Sequence, residues 1–221
     1  MTATDATISP SGDRRPACGL MWYFTAGNWA EGLLLGTEDF ANGARKRWTR
    51  TVWTQDDPTK SYQINPRIAE SRVGDETNTK KTKIEYLLEP GSPTVSRFGL
   101  VSEVRSYDAN QTTVLKKAVT EYNLNQIYLD RRIIGLPAES RLYEGENLLQ
   151  SKTTYSYDEG VFSDANLQQN IAPIQHDNTN YGANFTVGRG NATSTTRHDV
   201  TGQTAPVTSS VKYNTAGAAV A

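Results

Sequence analysis

The sequence GLVSEVRSYD at residues 99–108 recurs 36 positions later as GLPAESRLYE at residues 135–144. A polar turn follows each copy, and a return segment rich in Lys or Thr then ends at a tyrosine, Tyr122 or Tyr157. Self-similarity at a fixed period is typical of stacked supersecondary units, each of which packs against its neighbours. The two copies therefore predict an array of antiparallel β-hairpins.

Three further segments match the pattern more loosely. The earliest contains Asn42-Gly43, a pair that favours a two-residue hairpin turn because both residues tolerate positive φ, and its return segment alternates in polarity up to Trp53.

We expect a disordered leader over 1–19 and a polar surface excursion over 159–180. The expected fold is all-β, with consecutive long hairpins side by side in a curved or spiralling sheet. The predicted hairpin units are 33–53, 68–88, 99–122, 135–158 and 188–214, within an array that spans 20–221.

The recurring residues define a structural motif. An aromatic residue closes each return segment, and an arginine precedes an acid by two or three positions in the later outgoing segments. We expect the closing aromatics to stack into a ladder on one face of the sheet. We expect the arginines to bridge to a carboxylate or a turn carbonyl of the adjacent hairpin. The closing aromatics are Trp53, Tyr86, Tyr122, Tyr157 and Tyr213, and the outgoing motif consists of Arg105, Tyr107, Asp108, Arg141, Tyr143, Glu144, Arg197, His198 and Asp199.

Composition excludes several classes of function. The 23 basic and 24 acidic residues are interspersed and give a formal net charge of -1, so the chain lacks the basic footprint of a nucleic-acid or anionic-membrane binder. Cys18 is the only cysteine of the sequence, which excludes an internal disulfide and a cysteine-based zinc cage. The most apolar segment, residues 18–36, is interrupted by Asn28 and Glu31 and predicts no membrane span.

Enzymatic sites are weakly indicated. A metal site or a Ser-His-Asp triad would need His176 or His198, the two histidines of the chain. His198 occupies the Tyr position of the repeat, and His176 lies in the polar excursion. The neighbouring acids Asp56 and Asp57 do not face each other as glycosidase carboxylates must. We therefore expect no catalytic residue, no metal and no cofactor.

The pattern Arg-x-Tyr-Asp/Glu, a Gly or Asn turn, and a Thr-rich return that ends in Tyr resembles the YD repeat of the RHS family. These are large shell-forming polypeptides of bacteria, related to the teneurin shell. The resemblance covers about residues 32–221 and is strongest after Gly99. It implies a sheet that coils into a hollow shell around a C-terminal toxic passenger domain, in proteins that are secreted or held at the cell surface. The implied partners are the rest of the same polypeptide and that passenger.

The chain also departs from the family pattern. Tyr107-Asp108 is the full Tyr-Asp pair in the outgoing position, whereas the other copies have Tyr143-Glu144 and His198-Asp199. No segment resembles the self-cleaving core region or a toxin, so autoproteolysis is not carried over. Five hairpins are too few to close a shell, and we expect a fragment of one.

The expected function is a non-catalytic wall segment that protects a passenger. The alternative is a carbohydrate-binding cell-surface module, indicated by rows of aromatic residues on polar sheets. A β-fold hydrolase, indicated only by the abundance of Asp and Glu, is the least favoured function.

Overall fold

The computed structural model describes residues 17–24, 29–159, 177, 179, 188–214 and 216–219. Most of the expected leader and of the expected excursion, including His176, lies outside these residues. The described part of the chain forms eleven β-strands and one short α-helix. Their bounds are β1 Ala17–Tyr23, β2 Leu34–Ala41, β3 Ala44–Thr54, β4 Arg67–Gly74, β5 Thr79–Leu88, β6 Ser96–Tyr107, β7 Val114–Tyr122, α1 Gln126–Asp130, β8 Pro137–Glu144, β9 Leu148–Tyr157, β10 Ala192–His198 and β11 Val207–Ser210.

The strands belong to one antiparallel sheet whose spatial order is the chain order. Each strand from β1 to β11 is hydrogen-bonded to the next one along the chain. The expected all-β fold of consecutive hairpins is therefore confirmed. The hairpins are β2–β3, β4–β5, β6–β7, β8–β9 and β10–β11, so every outgoing strand has an even number and every return strand an odd one.

The chain divides into two compact units. The first contains the described residues up to Lys117 together with Glu144–Glu146, and the second contains Ala118–Tyr143 and the described residues from Asn147 onward. The division falls within β7.

The first hairpin follows directly from its turn sequence. Asn42 and Gly43 have φ values of 52° and 74°, and Ala41 pairs with Ala44 on either side of them. Two consecutive positive φ values define the turn type whose twist matches that of the flanking strands. The Asn-Gly pair thus sets the register of β2 against β3, as expected from the sequence.

Two elements were not expected from the sequence. Strand β1 pairs antiparallel with β2 and includes residues 17–19, which the sequence analysis assigned to the leader. Helix α1 begins after Asn125, whose side chain accepts a hydrogen bond of 3.1 Å from the Ile127 amide, and this contact is a standard helix N-cap. Tyr128 is the buried residue of this helix.

Burial in the described residues is dominated by polar groups. Three apolar residues are buried there, namely Ala30, Val114 and Tyr128. The buried polar residues are more numerous: Glu38, Gln55, Arg67, Glu70, Ser96, Asp158, Thr193 and Asn214. Because buried polar groups must be hydrogen-bonded to be tolerated, the contacts of these residues hold the hairpins in place.

Candidate functional site

The closing aromatics tie the two ends of a hairpin together. In four hairpins the ring N–H or O–H of this residue donates a hydrogen bond to a backbone carbonyl at the start of the outgoing strand. We call this contact the aromatic latch. The pairs are Trp53 Nε1 to Leu34 O at 2.9 Å, Tyr86 Oη to Ile68 O at 2.9 Å, Tyr157 Oη to Pro137 O at 2.8 Å and Tyr213 Oη to Ala192 O at 2.9 Å.

The backbone before each latch acceptor is left-handed. Gly32, Gly135 and Gly190 have φ values of 78°, 88° and 77° and lie two residues before the acceptor, and Asn65, with φ of 51°, lies three residues before Ile68. Glycine adopts this conformation without a Cβ penalty, and asparagine is among the few other residues that tolerate it. The left-handed residue, which is a glycine in three of the four hairpins, therefore turns the chain into the outgoing strand. A carbonyl group at the start of that strand then accepts the latch hydrogen bond.

The expected ladder of stacked rings is wrong for Trp53 and Tyr86. Neither ring has a ring–ring contact in the described part of the chain. These aromatics lie on alternate strands, β3 and β5, and two strand spacings separate them by roughly 10 Å, whereas ring pairs interact at 4.5–7 Å between centroids. The ring contact recorded for a latch residue is an edge-to-face pair of Tyr157 with Tyr128 of α1, at 6.4 Å.

Burial favours the protonated, donating form of two latch phenols, Tyr86 and Tyr157. Burial raises the pKa of Tyr86 and of Tyr157 above that of free tyrosine. Burial raises the pKa of Tyr128 to about 12, and the neighbouring Asp158 carboxylate contributes to this shift. Tyr122, which closes β7, also has a pKa raised by burial. The latches of Tyr86 and Tyr157 therefore persist throughout the neutral pH range.

The residues that follow Tyr157 and Tyr213 organise the segments after these latches. Asp158 is buried and accepts three hydrogen bonds of 2.9–3.0 Å from the amides of Arg189, Gly190 and Asn191. Asn214 after Tyr213 acts in the same way, because its Oδ1 accepts from the amides of Ala216 and Ala218 at 3.1 and 2.8 Å. The pair Tyr157-Asp158 is thus a two-residue junction: the first residue closes one hairpin, and the second holds the segment that leads into the next outgoing strand.

A different junction connects the first two hairpins. Asp56 accepts a hydrogen bond of 2.8 Å from the Ser96 amide and forms an ion pair of 2.5 Å with Arg67, which is only 9% exposed. The Arg67 guanidinium also lies 5.2 Å from the centroid of the Tyr86 ring. Burial opposes ionisation of Asp56, but hydrogen bonds from Ser96, Asn65 and Arg67 outweigh it and lower the pKa of this carboxyl. Asp56, whose side chain is 13% exposed, is therefore a structural anion in a partly buried ion pair, a role that sequence reasoning missed.

Aspartates cap the tips of several hairpins. Asp75 accepts from the amides of Thr77 and Asn78 at 2.8 and 2.7 Å. Asp108 and Asp199, the acids of the outgoing motif, accept amides four and five residues ahead, in loops that end at Thr113 and Thr204. The hydroxyl and amide of Thr201 lower the pKa of Asp199. These acids fold the loops and are not brought together at one site.

The motif arginines form ion pairs with two classes of glutamate. Arg105 contacts Glu103 at 2.5 Å on its own strand and Glu85 on β5 of the preceding hairpin. Arg141 repeats both contacts, with Glu139 at 3.0 Å and with Glu121 on β7. The contact with the preceding hairpin is the one expected from the sequence. A third Glu-x-Arg pair, Glu70 with Arg72 at 2.5 Å, lies in β4 and was missed although the spacing is visible in the sequence.

Arg197 departs from this arrangement. The positions equivalent to the two glutamates are occupied by Ser156 and Thr195, so the carboxylates are missing, and no ion pair of Arg197 occurs among the residues that the structure describes. His198, the last residue of β10, lies 3.0 Å from the Thr154 hydroxyl through Nε2. The final hairpin therefore replaces the charged contacts with neutral ones.

The aromatic positions of the outgoing motif lie at strand ends. Tyr107 is the last residue of β6, and the Lys81 ammonium is 3.9 Å from its ring centroid. Tyr143 and Glu144 end β8. The motif residues are thus distributed along the array, one set per hairpin, and do not converge.

Over the described ranges, no three or more His, Cys, Asp or Glu side chains are grouped so that they could hold a metal ion. The helical residues described do not include a span with the length and apolarity needed to cross a bilayer.

Comparison with known proteins adds no relative. No protein-family model matches the chain, and no curated protein matches it. The function of the chain is therefore inferred from the geometry of the hairpins.

Proposed function

We propose that this chain is a structural segment of an RHS-like shell that encloses and protects a passenger domain and has no catalytic role of its own. The observation that supports this function is the aromatic latch, which recurs in hairpins of both units. Each latch joins the two ends of one hairpin and uses a backbone acceptor. The same device can therefore be repeated along a chain of any length.

The pattern of burial favours a wall. A sheet becomes stable when one of its faces packs against another layer. In the described residues, however, the buried set is mainly polar and includes junction residues and the glutamates of two Glu–Arg clusters, Glu38 and Glu70. Such side chains fix the spacing of successive hairpins without forming a deep apolar core. The layer that covers the sheet would be the remainder of the polypeptide or the enclosed passenger.

The partners and location follow from the same proposal. The rest of an RHS-like polypeptide would continue the wall, and a C-terminal passenger, such as a toxin, would lie inside it. Proteins of this kind are secreted or held at the cell surface, and we propose that location for this chain. A glycan array separates this function from a carbohydrate-binding surface module, which would bind specific glycans saturably.

The decisive experiment uses the full-length protein that the gene encodes, purified with any sequence that flanks this chain. We expect electron microscopy to reveal a hollow particle with internal density, and limited proteolysis to spare the passenger until the particle is denatured. The triple variant Tyr86→Phe, Tyr157→Phe and Tyr213→Phe should make the passenger accessible to protease. Tyr155→Phe, which removes a phenol outside the latches, should not. The shell function would be excluded if the full-length protein has no enclosed domain. It would also be excluded if protease digests the passenger equally fast in the unmodified protein, the triple variant and the Tyr155→Phe variant.

A further inference from the structure

An open groove crosses β2, β3 and β4 in the first unit. It has a volume of about 460 Å³, which is in the range of small-molecule sites. Its walls combine cationic and apolar side chains. We call it the cationic groove, and the residues used below are Leu35, Arg45, Trp48, Arg50, Val52 and Arg72.

The cations of the groove belong to a row that crosses three strands. Arg50 is directly opposite Arg72 in the register of β3 with β4, and Arg72 is directly opposite Lys81 in the register of β4 with β5. Like charges at directly opposed positions of a sheet destabilise it, and each cation of the row has a partner that offsets this repulsion: Glu38 for Arg50, Glu70 for Arg72 and the Tyr107 ring for Lys81.

The acids that accompany these arginines lie underneath them. The side chains of Glu38 and Glu70 are each 11% exposed, whereas the side chains of Arg45, Arg50 and Arg72 are 47%, 36% and 42% exposed. Glu38 is shared by two guanidinium groups, at 3.0 Å from Arg45 and 2.7 Å from Arg50. Three guanidinium groups thus share two carboxylates, so the surface of the groove presents an excess of positive charge.

Unused donors remain on this surface. Arg72 donates to Glu70 through Nε, and both of its Nη groups lack a hydrogen-bond partner in the described part of the chain. A guanidinium with a free edge binds carboxylate or phosphate in bidentate geometry. The Arg50 guanidinium lies over Gly36 of β2 and donates to Glu38 and to the Thr49 carbonyl, so the free edge of Arg72 is the edge of the groove that can bind an anion.

The apolar wall limits the class of ligand. The Trp48 ring covers Gly74, where a Cβ would overlap it, and the Arg45 guanidinium lies 5.6 Å from the Trp48 ring centroid. Val52 is 49% exposed in the same groove. We propose that the groove binds a small organic anion, with its carboxylate or phosphate on the free Nη groups of Arg72 and its apolar body on Trp48 and Val52. This site is independent of the shell function.

Isothermal titration of the full chain with three probes tests the site: inorganic phosphate, phenyl phosphate and benzoate. We expect saturable binding of phenyl phosphate or benzoate, and weaker binding of inorganic phosphate because it lacks the apolar body. Preference between phenyl phosphate and benzoate identifies the anionic group. Arg72→Gln should weaken binding by about tenfold or more, since a charge-assisted hydrogen bond is lost. Trp48→Leu should weaken the binding of the two aromatic probes and leave the binding of inorganic phosphate unchanged.

The matched control is Arg47→Gln. Arg47 is the neighbour of Trp48 in β3 and points to the other face of the strand, so this variant removes the same charge outside the groove. Thermal melts identify variants that fail to fold, and Arg72→Lys, which keeps the charge but loses the planar fork, serves if Arg72→Gln is unstable. Absence of saturable binding by all three probes would overturn the proposal. An equal loss on Arg47→Gln and Arg72→Gln would also overturn it, because diffuse charge attraction would then account for the binding.

Discussion

The phenol of Tyr157 donates a hydrogen bond of 2.8 Å to the carbonyl oxygen of Pro137, the first residue of the strand that opens the same hairpin. Tyr86 makes the equivalent bond of 2.9 Å to Ile68. Each bond joins the last part of a return strand to the first part of its outgoing strand. The latch therefore fixes the open end of a hairpin, and the turn fixes the other end.

Loss of a latch hydroxyl should destabilise the chain. Tyr157→Phe and Tyr86→Phe keep the half-buried ring and remove one donor, so each should lower the free energy of unfolding by about 0.5–1.5 kcal/mol. Urea denaturation followed by circular dichroism measures the change. Tyr155→Phe is the control on the same strand, because no hydrogen bond of its hydroxyl occurs in the described part of the chain. Equal effects of Tyr155→Phe and Tyr157→Phe would contradict a specific role of the latch.

Removal of the Asp158 carboxylate should cost more than removal of a latch hydroxyl. Asp158→Ala leaves the amides of Arg189, Gly190 and Asn191 without their acceptor at a buried position. We expect a loss of about 2–4 kcal/mol in the free energy of unfolding, since unsatisfied buried donors are expensive. Asp158→Asn retains one acceptor oxygen and should lose less. If Asp158→Ala and Asp158→Asn lower the free energy of unfolding by equally small amounts, the carboxylate does not organise this junction.

The Glu–Arg pairs offer a comparison within the chain. Glu85 and Glu103 are directly opposite in the register of β5 with β6, and Arg105 contacts both. Arg105→Gln should destabilise by about 1 kcal/mol, because two like charges then face each other without a shared cation. Arg197→Gln, at the equivalent position without glutamates, should change stability by less than about 0.5 kcal/mol. Chemical denaturation at low and at high salt checks both values, and the difference between the two variants should shrink at high salt.

The sequence predicted the repeated hairpins because their signals are local. Alternation along β3 and the Asn42-Gly43 turn act within a few residues, and the 36-residue offset reports the repetition directly. The latch could not be predicted in the same way. Its acceptor is a backbone carbonyl, which every residue carries, so nothing in the sequence marks Pro137 or Ile68 as the partner.

Helix α1 and strand β1 were not predicted for similar physical reasons. Helix α1 has five residues, which is too short for an apolar period to appear, although Asn125 is a favourable N-cap. Strand β1 is recognisable only through its pairing with β2. The prediction that the closing aromatics stack was wrong because the sequence shows only their period along the chain. It does not show that an outgoing strand lies between two successive return strands and separates their rings. The Glu70–Arg72 pair, in contrast, could have been found from its Glu-x-Arg spacing.

Gly74 should be intolerant of a side chain. It is paired with Trp48 in the register of β3 with β4, and a Cβ at this position would overlap the indole ring. Gly74→Ala should destabilise by about 1–3 kcal/mol through overpacking and should shift the tryptophan fluorescence. Gly19→Ala is the control, because a Cβ there would meet only the Asp39 carboxylate at 3.4 Å. A stable Gly74→Ala variant with unchanged fluorescence would show that the ring moves away freely.

The acid sensitivity of the chain should depend on Asp56. Its pKa in the folded state lies below the ordinary value of 3.8, so the unfolded state binds more protons between these two values. The stabilisation from ionised Asp56 is therefore fully present above pH 3.8 and is lost as the pH falls through the folded-state pKa. Asp56→Asn leaves Arg67 buried without its counter-ion and should destabilise by about 3 kcal/mol at neutral pH. This difference from the unmodified chain should narrow on acidification, in urea titrations at a series of pH values. A difference that stays constant from about pH 6 to pH 2 would mean that Asp56 ionisation does not contribute to the acid limb of stability.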